Sequence, residues 1–165
     1  MILQKMKDHV LNWLERHDRK RIIMDRAENE PYLERYYVLF KERVTFPYNV
    51  FLHKFLKSDP DDVHDHPWNY FTIILAGGYY EWIAQFNEDG TKNCEVRIWR
   101  GPGSFRFGNT HTFHRIELKE GVTPWTLFFV GKRQREWGFI VENKWIHFEK
   151  YLSDRKNGLL QNNTI

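Results

Sequence analysis

Val63-His64-Asp65-His66-Pro67-Trp68 holds the residue types and spacing best suited to chemistry. Two histidines separated by one residue point the same way on an extended chain, because side chains alternate with period 2. On one face of a rigid strand, two imidazoles can hold a divalent metal ion from one side. They need a further ligand, and His114, within Thr110-His111-Thr112-Phe113-His114-Arg115, is the candidate. The plain alternative for His64 and His66 is a solvated pair after an acidic loop. For His114 it is a core histidine donating to a backbone carbonyl. Trp68, the apolar run Phe71-Thr72-Ile73-Ile74-Leu75 and the Gly77-Gly78 pair favour the metal reading. A facial set of three nitrogens leaves positions open for substrate, water or O₂, which suits catalysis better than a structural role.

Other side chains take their roles from parity. Tyr70 shares strand parity with His66, so it is expected in the same cavity, where a phenol positions substrate or stabilises a bound anion; core packing is the alternative. Asp65 points opposite to the histidines, in a supporting or surface position. Arg106 shares even parity with Ser104, and facing inward it would bind a carboxylate or phosphate of the substrate. His111 is expected at the pocket rim, contacting substrate, and it becomes a ligand only if the chain turns at Gly108-Asn109. Glu81 restores a carboxylate to the site if the chain after Gly77-Gly78 turns it inward. His9, His17, His53 and His147 have no partner at ligand spacing and are read as structural.

These residues need a scaffold that brings distant segments together. The 165 residues amount to one domain, and 41% hydrophobic with 17% aromatic content supplies its core. Apolar residues recurring at helical spacing (Leu3, Met6, Val10, Leu14) predict an amphipathic helix packed on the outside of the domain. After Arg21 the period becomes that of strands, over about 22–24, 33–40, 50–56, 70–75, 79–86, 95–100, 104–107, 115–118, 125–130, 138–141 and 145–148. Residues 149–155 read as a short helix, and Gln161-Asn162-Asn163-Thr164 as a frayed end. Short strands with Gly, Pro and Asn turns indicate an all-β sandwich or barrel, in which inward positions converge on one cavity. The expected layout is a single domain over 1–165, with a helix over about 1–18, a barrel over about 20–148 and a tail over about 149–165.

Composition narrows the function classes. A net charge of +3, with acids interspersed among the bases, argues against a nucleic-acid face. No run approaches a transmembrane span, no signal pattern opens the chain, and Cys94 is alone, so a cytoplasmic protein without membrane association is expected.

The pattern resembles the cupin superfamily. His64 and His66 match the paired histidines of the first cupin motif, and Ile74-Leu75-Ala76-Gly77 is similar to the segment that closes it. Gly103-Ser104 and His114 fall where the second motif has its Gly-Asp and its histidine. The likeness covers roughly residues 50 to 131. More closely, His-Asp-His-Pro-Trp, Pro102-Gly103-Ser104, Trp137-Gly138-Phe139 and Trp145-x-His147 resemble small cupins of bacteria and phages. The resemblance implies a double-stranded β-helix, or jelly-roll barrel. Two departures stand out: Tyr70 replaces the acid of the first motif, and His111 stands where the second motif has glycine. A site of His64, His66 and His114 therefore replaces the usual three histidines and a glutamate. The resemblance implies a divalent cofactor, Fe(II) first, as in dioxygenases with three histidines, with Zn, Mn or Ni as alternatives. A redox-neutral isomerase or hydrolase and a non-catalytic cupin that captures a small ligand are the competing expectations. Cupins commonly dimerise through barrel strands, which leaves a homodimer open.

Overall fold

A computed structural model describes residues 2–25, 30–41, 46–60 and 62–160. The chain opens with α1 (Ile2–Arg16) and continues through β1 (Lys20–Met24), β2 (Pro31–Tyr37), β3 (Asn49–Phe55), β4 (Tyr70–Ala76), β5 (Tyr79–Phe86) and β6 (Lys92–Arg100). It ends with β7 (Phe105–Gly108), β8 (His114–Leu118), β9 (Trp125–Val130), β10 (Gly138–Val141), β11 (Lys144–His147) and α2 (Phe148–Lys156). The all-β jelly-roll expectation holds, with short helices at the two ends of the described chain.

Six strands form one antiparallel sheet in the order β1-β2-β3-β9-β4-β7. The second wall contains β6-β5-β8 and the hairpin β10-β11. His64 joins these two pieces, because it bridges to His114 on one side and to Phe139 on the other. The first candidate ligand is thus stitched by backbone hydrogen bonds to the third: His64 N donates to His114 O and His114 N to His64 O, each at 2.9 Å.

Alternation puts the right side chains inside. In β3, Asn49, Phe51, His53 and Phe55 are buried while the residues between them are partly exposed. β4 turns Tyr70, Thr72 and Ile74 inward, β5 turns Tyr79 and Glu81 inward, and β8 does the same with His114 and Ile116. Leu33, Phe55, Ile74, Tyr79 and Ile116 form the apolar floor. The turn from β4 to β5 uses Gly77 and Gly78 at φ 72° and 131°, a backbone region that side chains disfavour.

Two local expectations change. Residues 63–69 are not a strand: only His64 pairs, and Pro67 cannot donate to a ladder. β2 stops at Tyr37 rather than at residue 40. The short helix expected over 149–155 is present as the nine-residue α2, and it docks on the barrel. Its Tyr151 is fully buried, stacks on Phe139 with ring centroids 3.7 Å apart, and donates to Asp62 at 2.8 Å. Leu14 and Lys7, whose ammonium lies 4.3 Å from the Trp125 ring centroid, seat α1 against the sheet. The side chains of Leu3 and Met6 and the end at 161–164 lie outside the described residues.

Candidate metal centre

The three predicted histidines converge. One ring nitrogen from each of His64, His66 and His114 lies within 4.8 Å of the others. His66 Nε2 and His114 Nε2 are 2.9 Å apart. Two nitrogens bound at right angles to a first-row ion, each at about 2.1 Å, would be separated by about 3.0 Å. The pair spacing and the donor set therefore fit a divalent metal. His64 and His66 project together although they are not on a strand. Asp65 between them points the other way and is held by Gly138 N at 2.7 Å, Trp145 Nε1 at 3.2 Å and Arg135 at 3.1 Å. Asp65 is fully buried, so of its two expected positions the supporting one is realised. It fixes the backbone between the two imidazoles.

Glu81 is the carboxylate that the first motif seemed to lack, displaced to β5. It is 1% exposed, and its Oε1 receives His114 Nδ1 at 2.9 Å. With the proton on Nδ1, the lone pair of His114 sits on Nε2, facing the other two rings. Glu81 Oε1 also accepts from Arg106 Nε at 3.1 Å, and Oε2 from Arg100 Nε at 2.8 Å. Burial alone would raise the Glu81 pKa. The hydrogen bond from His114 and the positive charges of Arg106 and Arg100 outweigh it and hold the carboxyl well below the ordinary carboxylate range. Glu81 thus orients His114 rather than joining the three nitrogens. Burial pushes His64 down to about 4 and His66 well below the usual imidazole range, which keeps both in the neutral, ligating form.

Tyr70 is where parity placed it. Its hydroxyl lies 3.4 Å from His114 Nε2 and its ring packs on His66 with centroids 4.7 Å apart. Burial raises the phenol pKa and keeps it protonated. Gly108, paired with Tyr70 across the sheet, makes room for the ring: a Cβ there would lie 2.2 Å from Tyr70 Cζ. Arg106 does face the cavity, but its Nε is committed to Glu81. His111 does not line the cavity. The chain turns at Gly108-Asn109, yet Asn109 Oδ1 accepts from His111 N at 2.9 Å and leaves the imidazole exposed near Arg135.

All three histidines open onto one cavity of about 580 Å³, bounded on the far side by β1, β2 and β3. Sequence reasoning missed two of its polar residues. Nothing in the sequence singles out Arg35, and His53 reads as structural, but both line the cavity and Arg35 Nε donates to His53 Nε2 at 3.0 Å. The alternation of β3 already put His53 on the same face as Phe51 and Phe55; only the pairing with β2 reveals its partner.

No protein-family model and no curated protein matches the sequence. Solved structures do match. A cupin-2 domain of Rhodospirillum rubrum aligns with TM-score 0.54 and 11% identity over 74% of this chain and 76% of its own. The Fe(II) form of HppE with substrate aligns with TM-score 0.51 and 16% identity over 68% of this chain. The chain spans 57% of the length of that HppE structure. The protein therefore has the cupin fold, and in it a cluster of three histidines that could hold a metal ion.

Proposed function

We propose that the protein is a metal-dependent enzyme acting on a small molecule within the barrel, with His64, His66 and His114 as the ligands and Fe(II) as the first metal to test. The observation that carries the proposal is the Glu81–His114 contact at 2.9 Å. A core histidine has no need for a buried carboxylate backed by two arginines, whereas a metal-ligating histidine commonly has its far nitrogen held in this way. HppE, of the same fold, is described in an Fe(II) form, which sets the order of testing. When bound, the ion would supply open coordination positions for substrate and O₂.

The chain's own residues do the rest. Glu81 holds the His114 tautomer, and Asp65 fixes the spacing of His64 and His66. Tyr70, kept protonated beside His114, donates a hydrogen bond to an oxygen of the substrate or stabilises its negative charge. Phe128, Trp137 and Phe139 give the cavity apolar walls beside the histidines. A redox-neutral reaction under Zn or Mn uses the same arrangement and is favoured by one feature, the proton held on Tyr70 at the site. The two are separated by loading the metal-free protein with Fe(II) or Zn and screening small molecules with and without O₂. Substrate-dependent O₂ uptake with iron alone supports the oxygenase, and turnover with zinc supports the redox-neutral reaction. Absence of metal binding refutes both and leaves a cupin that captures a small ligand.

A further inference from the structure

The cavity has a polar wall that the three histidines do not use. Antiparallel pairing sets Arg21 of β1 opposite Arg35 of β2, Arg35 opposite His53 of β3, and His53 opposite Thr126 of β9. All four line the cavity, in one row across the sheet. Arg21, at the sheet's edge strand, is exposed, so this end reaches solvent. Two of the four have unmet needs. The Arg35 guanidinium carbon sits 4.7 Å from the Phe51 ring centroid, and among the described residues no carboxylate lies within ion-pair distance of it. Arg106 and Arg100, by contrast, both rest on Glu81. Thr126 is 1% exposed and its hydroxyl has no hydrogen-bond partner. Buried hydroxyls are nearly always partnered, and a partly buried guanidinium without a counter-charge is costly.

One kind of ligand meets both needs. We propose that the cavity takes a small molecule bearing an oxyanion, a carboxylate or a phosphate, seated on Arg35 with Arg21 at the solvent end and Thr126 donating to the same molecule. A guanidinium matches two oxygens of either group at once. The Arg35 Nε–H is used by His53 and the Tyr37 side chain also bonds the guanidinium, which together hold its plane in place on the cavity wall. The opposite end of the molecule then faces His64, His66 and His114. Arg35 and the three histidines line the same cavity, so one molecule can meet both. The oxyanion seat needs no metal; only the orientation of the rest of the molecule rests on the metal-centre proposal.

Calorimetric titration of the metal-free protein with inorganic phosphate and, separately, with succinate tests the seat. Saturable binding of one anion per chain is expected, and the stronger of the two identifies the headgroup. Arg35→Gln should weaken it by about tenfold or more, Arg35→Lys should restore part of the loss, and Thr126→Val should weaken it by a few-fold. Arg97→Gln, at an exposed arginine paired with Glu117, should change nothing. His64→Ala with His66→Ala should abolish metal binding and leave anion binding in place, so failure of the metal site and failure of the oxyanion seat appear separately. If Arg35→Gln does not fold, NMR titration of the wild type decides: phosphate or succinate should shift the Arg35 side chain and the Thr126 amide. No saturable binding at millimolar anion, equal binding by Arg35→Gln, or shifts confined to other residues would overturn the proposal.

Discussion

Replacing Glu81 by Gln keeps the shape of the side chain and removes its charge. In the native protein Oε1 serves both His114 Nδ1 and Arg106 Nε, while Oε2 serves Arg100 Nε. An amide has one oxygen for these three donors. If that oxygen stays on His114 and Arg106, the amide NH₂ faces the Arg100 N–H; if it turns to Arg100, the NH₂ faces His114 and drives its proton to Nε2, where a ligand needs a lone pair. Breaking a buried ion pair on one side costs about 3–5 kcal/mol. Glu81 is 1% exposed and its arginine partners are 19% and 22% exposed, so the lower end of that range applies. Loss of a partner that orients a metal-bound histidine lowers affinity by about 10–100-fold. Urea unfolding of metal-free protein reads the first effect, and competition against a chromophoric chelator reads the second. The reasoning fails if Glu81→Gln loses stability but binds metal as tightly as the wild type. The carboxylate would then be only a structural counter-charge.

Further outcomes follow from other contacts. Gly108→Ala places a methyl group in the Tyr70 ring, so the ring must move; about 1–3 kcal/mol of stability should be lost, and an unchanged unfolding midpoint would place Tyr70 elsewhere. Tyr151→Phe removes the bond to Asp62 and should cost about 1 kcal/mol, read as a lower midpoint with the barrel otherwise intact. Burial, and then the charge of Arg35, hold the His53 pKa well below the ordinary 6.5. The unfolded chain therefore takes up a proton as pH falls through about 6.5 while the folded chain does not. Stability from this group is complete above that pH and declines below it by about 1.4 kcal/mol per unit. His53→Asn should reduce the slope of stability against pH between 6 and 5 by about that amount, and an unaltered slope would show that His53 is not buried in neutral form.

Much of the site was legible in the sequence because its elements are local. Period-2 alternation sorts β3 and β4 into inner and outer residues, and it places His53 and Tyr70 inside without any knowledge of pairing. His64 and His66 share a direction because Asp65 is pulled the other way, and the same geometry arises without a strand. What could not be read depends on long-range register. Glu81 follows two glycines with positive φ, so its parity could not be carried over from β4. Arg35 looks like any surface arginine until β2 is paired with β3 and its Nε meets His53. His111 lies one turn from the site in sequence, but Asn109 caps that turn and sends the imidazole outward. The docking of α2 rests on Tyr151 fitting against Phe139, a contact between segments that carry no joint signal in the sequence.

The most direct test of the central claim is elemental analysis with metal titration of protein purified without chelator, beside a His64→Ala/His114→Ala variant. Three converging nitrogens backed by Glu81 predict one divalent ion per chain in the wild type, removable by chelator and restored on adding Fe(II), and none in the variant. A wild type that binds no metal under these conditions, or a folded variant that retains the wild-type content, would contradict the metal centre.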